Sequence, residues 1–348
     1  MSTKIKFYYF LLLIILAVAV WALQGIYLPQ ESSGLELQEF VIEKGQGSGE
    51  ISSNLADTGL IKSKFLFDSL AVIKGEHNTL LAGTYDLSRG MNASEILDKL
   101  SSGDVAKEVL TIIEGWDLRD IAWWFENKGM FQAEEIFEVA GLPAVNGLEK
   151  EVLAMVAKLV NDFEFLGEKP ASVSLEGYLF PDTYHIVKGS TVEQNIRKIL
   201  SNFNKKVGAD LRAEIVKQGK SLFEILTMAS LLEKEVQTLA DKKLVAGILW
   251  KRLVYGWPLQ VDASLTYITG KPSSEITKQD KENDSLYNTY KYYGLPLGPI
   301  SNPGLESIEA SVYYERNPYW FYLSKPDGET VFSKTLQEHN INIAKYLQ

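Results

Sequence analysis

The 348-residue sequence contains no cysteine. Disulfides, thiolate nucleophiles, thiolate-bound zinc and a lipidated N-terminal cysteine are all excluded. This absence fits an exported chain that folds without an oxidant, and it also fits many cytosolic ones. Histidine is scarce: His77, His185 and His339 lie far apart. A metal site would have to join His185 to Asp182 and a distant third ligand, so neither metal nor cofactor is expected. His339 reads as structural. Basic residues number 35 against 45 acidic ones, a net charge of -10, and no basic run compensates locally. Nucleic acid, which is bound by Lys and Arg clusters, is not an expected partner. A phosphate loop ending at Gly219-Lys220-Ser221 would need glycine five residues before Gly219, where Glu214 stands. There is no G-x-S-x-G nucleophile elbow.

Long apolar runs are also absent, with one exception. Phe7 to Leu23 is unbroken, and Ile26, Tyr27 and Leu28 extend it to Pro29. With the extension it has the length of a spanning helix. Lys4 and Lys6 precede it, while Glu31, Glu36 and Glu39 follow. The positive-inside rule then places residues 1–6 in the cytoplasm, a transmembrane helix at 7–28 and the rest outside, in the manner of a single-pass inner-membrane protein. Ala17, Ala19 and Ala22 keep a cleaved signal peptide as the rival reading, and both readings export the remainder.

With 46% hydrophobic and 23% charged residues, the remainder is globular in composition, and its length suggests two or three units. Gln30 to Gly34 reads as a polar linker. A pattern then occurs twice, FVIEKGQGSGEISSNLADTGLI from Phe40 and LTIIEGWDLRDIAWWFENKGMF from Leu110. Each copy is a short strand followed by a helix. Ile51 and Leu55 share one helical face, as do Leu118, Ile121, Ala122 and Phe125. Gly59 and Gly129 are expected C-caps. Between the copies come a strand and a helix whose buried face is Ile96, Leu97 and Leu100, capped by Asn92 or Ser94. This strand-helix-helix-strand character resembles LysM-like modules, which grip amino-sugar polymers; a plain spacer lifting an enzyme off the membrane fits equally. Residues 132–170 read as mainly helical, Val173 to His185 as strand and turn, and Thr191 to Leu200 and Leu211 to Val236 as helix. After Gly256, long loops and short strands are expected.

Four stretches carry candidate chemistry. In SLFEILTMASLLEKEV, Ser221 to Val236, Glu233 and Glu235 lie roughly 200° apart on a helix and cannot share one cleft. Either is placed to end an apolar face, whose walls favour a protonated carboxyl, and a solvated helix end is the bland alternative. Periodicity does not choose between the two glutamates. LEGYLFPDTYHI, Leu175 to Ile186, sets Glu176, Asp182 and His185 among aromatic rings, as sugar clefts do; a buried strand with a Pro-Asp turn fits as well. WPLQVDASLTYITG, Trp257 to Gly270, and LYNTYKYYGLPLGPISNPG, Leu286 to Gly304, complete the set. The last is too rich in Pro, Gly, Asn and Tyr for a regular element, and long ordered loops tend to be functional.

Together EGYLFPDTY, ASLLEKE, LQVDASLTY, YNTY, GLPLGPISNPG and FSKTLQEHN resemble, in order and spacing, the YceG-like (MltG) family of endolytic murein transglycosylases. The resemblance covers nearly the whole chain. It implies an α+β architecture: an N-terminal transmembrane helix, a small LysM-like α+β module at 37–109 and a larger C-terminal α+β catalytic domain at 110–348. It puts the family's catalytic glutamate at Glu235. Leu297 departs from the family's Gly-Leu-Pro-Pro-Gly loop, and Val261 replaces a small hydroxyl residue.

The implied reaction is lytic cleavage of peptidoglycan between N-acetylmuramic acid and N-acetylglucosamine, leaving a 1,6-anhydro end. One acid/base residue suffices when capture is intramolecular. The family further implies action on nascent strands that terminates glycan elongation, with cell-wall synthases as candidate partners. Glu176, Gln260, Asp262, Tyr287, Asn288 and Asn302 are candidates for the substrate-binding cleft wall, each with a structural role as its alternative. Two rivals stand beside this reading: a non-catalytic glycan-binding scaffold, and a hydrolase using Glu176 or Asp262 as second carboxylate.

Overall fold

A computed structural model of the chain describes residues 3–31, 36–146 and 150–347. Ser32, Ser33 and Gly34 of the expected linker, and the first two residues of the expected tail, lie outside the described residues. The chain forms two compact units, Met1–Glu108 with His185–Ser190, and Val109–Tyr184 with Thr191–Gln348. Helix and strand are mixed, with helix dominant; the described strands form three two-stranded sheets.

The first unit opens with α1, Thr3–Tyr27, in which Lys4–Tyr27 contains an 18-residue window of mean hydropathy 2.4 and is long and apolar enough to cross a membrane. There follow β1 (Gln38–Ile42), α2 (Ser48–Asp57), α3 (Lys64–Lys74), β2 (Gly83–Leu87) and α4 (Ala93–Ser102), and beyond this unit α5 (Leu118–Asn127). β1 and β2 pair antiparallel with Phe40 opposite Tyr85. Strand alternation turns Phe40, Ile42, Tyr85 and Leu87 inward, where they meet Ile51, Leu55, Ile96, Leu97 and Leu100 in one core. Asn92, rather than Ser94, caps α4: its side chain accepts from the Ser94 and Glu95 N–H groups, and Glu95 closes the capping box. Gly59 and Gly129 follow α2 and α5 with φ of +73° and +63°, the left-handed turn that stops a helix.

The chain then runs through β3 (Lys107–Thr111), α5 (Leu118–Asn127), α6 (Ala133–Ala140), α7 (Lys150–Asp162) and β4 (Thr183–Val187), which pairs with β3. α8 (Val192–Lys206) runs beyond the expected Leu200. The helix expected from Leu211 to Val236 is two helices, α9 (Ala209–Lys217) and α10 (Leu222–Glu235). Gly219, at φ +70°, breaks the run, and Ser221 restarts it through a capping box with Glu224. α11 (Leu239–Val254) follows. The stretch after Gly256 is more helical than expected. It carries α12 (Asp262–Thr269), α13 (Leu305–Val312) and α14 (Leu336–Tyr346) beside the hairpin β5 (Phe321–Ser324) and β6 (Thr330–Ser333). Local capping explains α14, where Thr335 and Glu338 form a capping box that composition alone does not announce.

α10 is the centre of the second unit. Leu222 and the whole run from Ile225 to Leu232 are buried, so it is apolar all round, as a helix surrounded by others must be. It packs on α9, α11, α12 and α13. Ser230 on α10 accepts the Ile300 N–H at 3.0 Å, and its carbonyl accepts from Ser301 Oγ at 3.2 Å. The Pro- and Gly-rich loop is thereby strapped to the central helix.

Candidate active site

Glu233 and Glu235 end α10 and meet different neighbours, as their angular separation requires. Glu233 pairs with Lys242 of α11 at 3.0 Å, the two side chains only 8% and 4% exposed. Its other oxygen accepts the Gly304 N–H at 2.8 Å. Both oxygens of Glu233 are thus engaged by the protein itself.

Glu235 instead lines a cavity of about 740 Å³. Its Oε2 accepts the Tyr322 hydroxyl at 2.9 Å. Burial dominates its electrostatics and pushes the carboxyl up to about 7; the Tyr322 hydrogen bond opposes this, the Asp262 charge adds to it, and the Ala263 N–H and Arg252 oppose it. Such a carboxyl is close to half protonated at neutrality and can both give and take a proton.

Asp262 and Gln260 line the same cavity, together with Arg252, Lys234, Lys281, Tyr290, Phe321, Tyr322 and His339. Asp262 Oδ1 accepts the Tyr290 hydroxyl at 2.5 Å. Gln260 adopts φ +55°, a left-handed conformation rare for a residue with a side chain. Thr289 holds this turn. The Gln260 N–H donates to its carbonyl at 3.1 Å, the Val261 N–H to its Oγ1 at 2.9 Å, and Ser264 Oγ lies 2.9 Å from the same oxygen. Asn288 sets Thr289 and Tyr290 in turn: its Nδ2 donates to the carbonyls of Lys281 and Asn283, and its Oδ1 accepts the Tyr290 N–H. Arg252 is buried and donates to the carbonyls of Leu259 and Trp320 at 2.6 and 2.7 Å, tying α11 to both sides of the cavity.

Of the residues singled out in the sequence, then, Glu235, Gln260 and Asp262 meet at one cavity. Glu176, Tyr287, Asn288 and Asn302 are buried and are not among the residues lining it. Glu176 accepts the Leu118 N–H and the Tyr267 hydroxyl, each at 3.1 Å, and Asn302 Nδ2 at 3.0 Å. Burial pushes its carboxyl well above the usual range. Asn302 Oδ1 also accepts the N–H groups of Gly177 and Leu179, both at 2.9 Å. A Cβ on Gly177, whose φ is +86°, would meet Pro299 at 2.6 Å, so that position requires glycine. Tyr287 packs on Tyr267 with ring centroids 5.2 Å apart. These four residues join the loop-rich segments to one another from within.

Sequence reasoning did not single out Tyr322, Tyr290 or Arg252. For Tyr322 a signal existed: short runs of β-prone residues, Trp320 to Leu323 and Thr330 to Phe332, on either side of Pro326-Asp327-Gly328 announce a hairpin. Tyr290 closes the YNTY segment already set apart in the sequence, whereas Arg252 carries no comparable signal, because its role rests in part on Trp320, distant in sequence. His339, expected to be structural, lines the cavity. It stacks on Phe321 at 5.2 Å, and its buried Nδ1 has no hydrogen-bond partner among the described residues. Of the two departures, Val261 is fully buried away from the cavity, and Leu297 uses an N–H that proline lacks, donating to the Leu286 carbonyl at 3.2 Å. Among the described residues no cluster of three or more His, Asp or Glu side chains is arranged to hold a metal ion.

The model of the YceG-like family matches residues 40–345. The chain is 33% identical over 321 residues to an endolytic murein transglycosylase of Bacillus subtilis, covering 92% of this chain and 87% of that protein. It is 31% identical over 337 residues to an endolytic murein transglycosylase of Streptococcus pneumoniae, covering 92% of this chain and 60% of that protein. A crystal structure of a YceG-like protein from Listeria monocytogenes superposes with a TM-score of 0.58 at 32% identity, covering 88% of this chain and 99% of that one.

Proposed function

The chain belongs to the YceG-like family, and we propose from that premise that it is an endolytic murein transglycosylase whose acid/base is Glu235. The observation that carries the assignment is the environment of this carboxyl. It stands at the edge of a large cavity, and burial raises it to about 7 while Tyr322 supports its ionised form. Glu233, two residues away, is consumed by Lys242 and Gly304.

The reaction follows in two proton transfers. Protonated Glu235 gives its proton to the glycosidic oxygen between N-acetylmuramic acid and N-acetylglucosamine as the C1–O bond breaks. The C6 hydroxyl of the muramic acid closes on C1 and yields its proton to the Glu235 carboxylate, regenerating the acid. The product is a 1,6-anhydro end, and no water is consumed. During the interval in which Glu235 is ionised, the Tyr322 hydroxyl and the Ala263 N–H stabilise it. Asp262, in the same wall, bears on the electron-poor C1, and Gln260 presents an amide to the sugar hydroxyls. Asn288 holds the wall through Lys281 and Tyr290, while Glu176, Tyr287 and Asn302 brace the interior behind it rather than the substrate.

Asp262 also supports the rival reading as a hydrolase, since it is a second carboxylate at the same cavity. The products decide. Purified peptidoglycan is digested with the full chain and with Glu235→Gln, and the fragments are resolved by mass. Anhydro ends from the unsubstituted chain, reduced at least about 100-fold in Glu235→Gln, are expected. Water-added reducing ends would make it a hydrolase, and equal activity in both would move the acid elsewhere.

The finer organisation belongs to the same proposal. Residues 1–6 face the cytoplasm, 7–28 anchor the chain in the membrane, and 37–109 form a LysM-like glycan-gripping module. Residues 110–348 form the extracytoplasmic catalytic domain, which acts on nascent strands beside cell-wall synthases. The antiparallel β1–β2 pair with α2 and α3 between its strands supports the LysM-like reading.

A further inference from the structure

Phe321 in the cavity wall is the first of a chain of rings that the reaction above does not use. Its centroid lies 6.3 Å from that of Trp257, Trp257 lies 4.6 Å from Trp320, and Trp320 lies 5.4 Å from Tyr255. The outer members are open to solvent, Trp257 at 42% and Tyr255 at 68% exposure. Single exposed apolar residues need no explanation, but adjoining aromatic rings continuous with a polar cavity mark a binding surface.

The chain's local structure builds this track. α11 ends at Val254, and Gly256 at φ +67° turns the backbone, with the Trp257 N–H donating to the Arg252 carbonyl at 2.8 Å. Pro258 then holds Trp257 extended. On the facing side, the Trp320 N–H donates to the Ser333 carbonyl at 3.0 Å as the chain enters β5. Lys251 Nζ lies 4.6 Å from the Trp320 ring centroid and donates to the Asn317 carbonyl at 3.0 Å, which fixes the ring against which Trp257 packs. Trp320 is thus the support, and Trp257 and Tyr255 are the presented faces.

We propose that Trp257 and Tyr255, continuing outward from Phe321, whose own ring is stacked by His339, form a carbohydrate track that grips the glycan strand beyond the bond poised at Glu235. This rests on the reading of the chain as a glycan-cleaving enzyme. The C–H faces of pyranose rings stack on aromatic faces, while the indole N–H and phenol O–H at the rim meet sugar hydroxyls. The occupant follows from continuity: a polymer whose scissile bond lies at Glu235 leaves the cavity past Phe321 and runs directly onto Trp257. A strand held outside the cavity as well as at the cut is cleaved internally rather than trimmed from its end.

The test uses the full chain in detergent micelles, with Glu235→Gln as the background so that binding is read without cleavage. Calorimetry compares long peptide-free glycan strands with a tetrasaccharide. Trp257→Ala is expected to weaken long-strand binding about ten-fold, about 1.4 kcal/mol, while changing tetrasaccharide binding less than about two-fold. Tyr255→Ala acts in the same direction, and Trp257→Phe, which keeps a ring, restores most of the loss. Thermal unfolding of each variant establishes that it is folded. Equal loss for both lengths, or none for long strands, overturns the track. If the unsubstituted chain releases no anhydro ends yet binds long strands through Trp257, the catalytic reading fails and the track stands. If it releases them while Trp257→Ala binds unchanged, the reverse holds.

Discussion

The Tyr322 hydroxyl donates to Glu235 Oε2 at 2.9 Å, across 87 residues of sequence. This bond favours the ionised carboxyl against the burial that favours the neutral one. Tyr322→Phe removes the counterweight. Turnover is expected to fall about ten-fold, the worth of one hydrogen bond to a charged group. The alkaline limb of the pH–rate profile moves upward, because the carboxyl then ionises less readily. A lower rate with an unmoved alkaline limb would mean that Tyr322 acts only on the substrate.

Glu235 also makes stability depend on pH. Its ordinary value is 4.5 and burial raises it to about 7, so the folded chain holds a proton that the unfolded chain releases between these values. The stabilisation is complete below the lower value and is lost as pH rises through the upper one. Glu235→Gln, neutral throughout, is expected to gain on the unsubstituted chain by up to the order of 3 kcal/mol between about pH 5 and pH 8. Denaturant unfolding at both pH values measures this, and a pH-independent difference would place the carboxyl in water.

The Glu233–Lys242 pair is structural, and its loss is asymmetric. Lys242→Met leaves Glu233 buried without its cation and is expected to cost about 3–5 kcal/mol. Pairing it with Glu233→Gln recovers most of that, because no bare charge remains. A double mutant as unstable as the single would show that the cost is packing.

Glu176 satisfies three donors inside the protein. Glu176→Ala strands the Leu118 N–H, the Tyr267 hydroxyl and the Asn302 amide, and is expected to cost about 3 kcal/mol or more and several degrees of Tm. Glu176→Gln keeps one acceptor and costs less. Neither shifts the pH–rate profile, whereas a second catalytic carboxylate would change its shape.

Gln260 carries its side chain at φ +55° in the cavity wall. Gln260→Gly relieves a conformation that costs on the order of 1 kcal/mol. Stability is expected to rise while KM for glycan rises too, which separates strain held for binding from strain held for the fold.

The sequence by itself determined what depends on short spacings and composition. The apolar run became α1, the repeated strand-helix pattern became β1–α2 and β3–α5, and the faces Ile51–Leu55 and Leu118–Phe125 are buried as periodicity required. The angle between Glu233 and Glu235 already meant that only one of them could face a given cleft. Periodicity did not say which one and the family resemblance pointed to Glu235; the physical reason is tertiary, in the partners each meets: Lys242 and Gly304 for one, Tyr322 for the other. The same holds for the polar residues of the loop-rich segments. Glu176 and Asn302 read like cleft residues, since a carboxylate or amide among aromatics looks alike in sequence whether it meets a sugar or a backbone N–H. Burial and hydrogen bonding across more than a hundred residues, as between Asn302 and the Gly177 N–H, separate the two cases. Neither quantity is written in any local stretch of the chain.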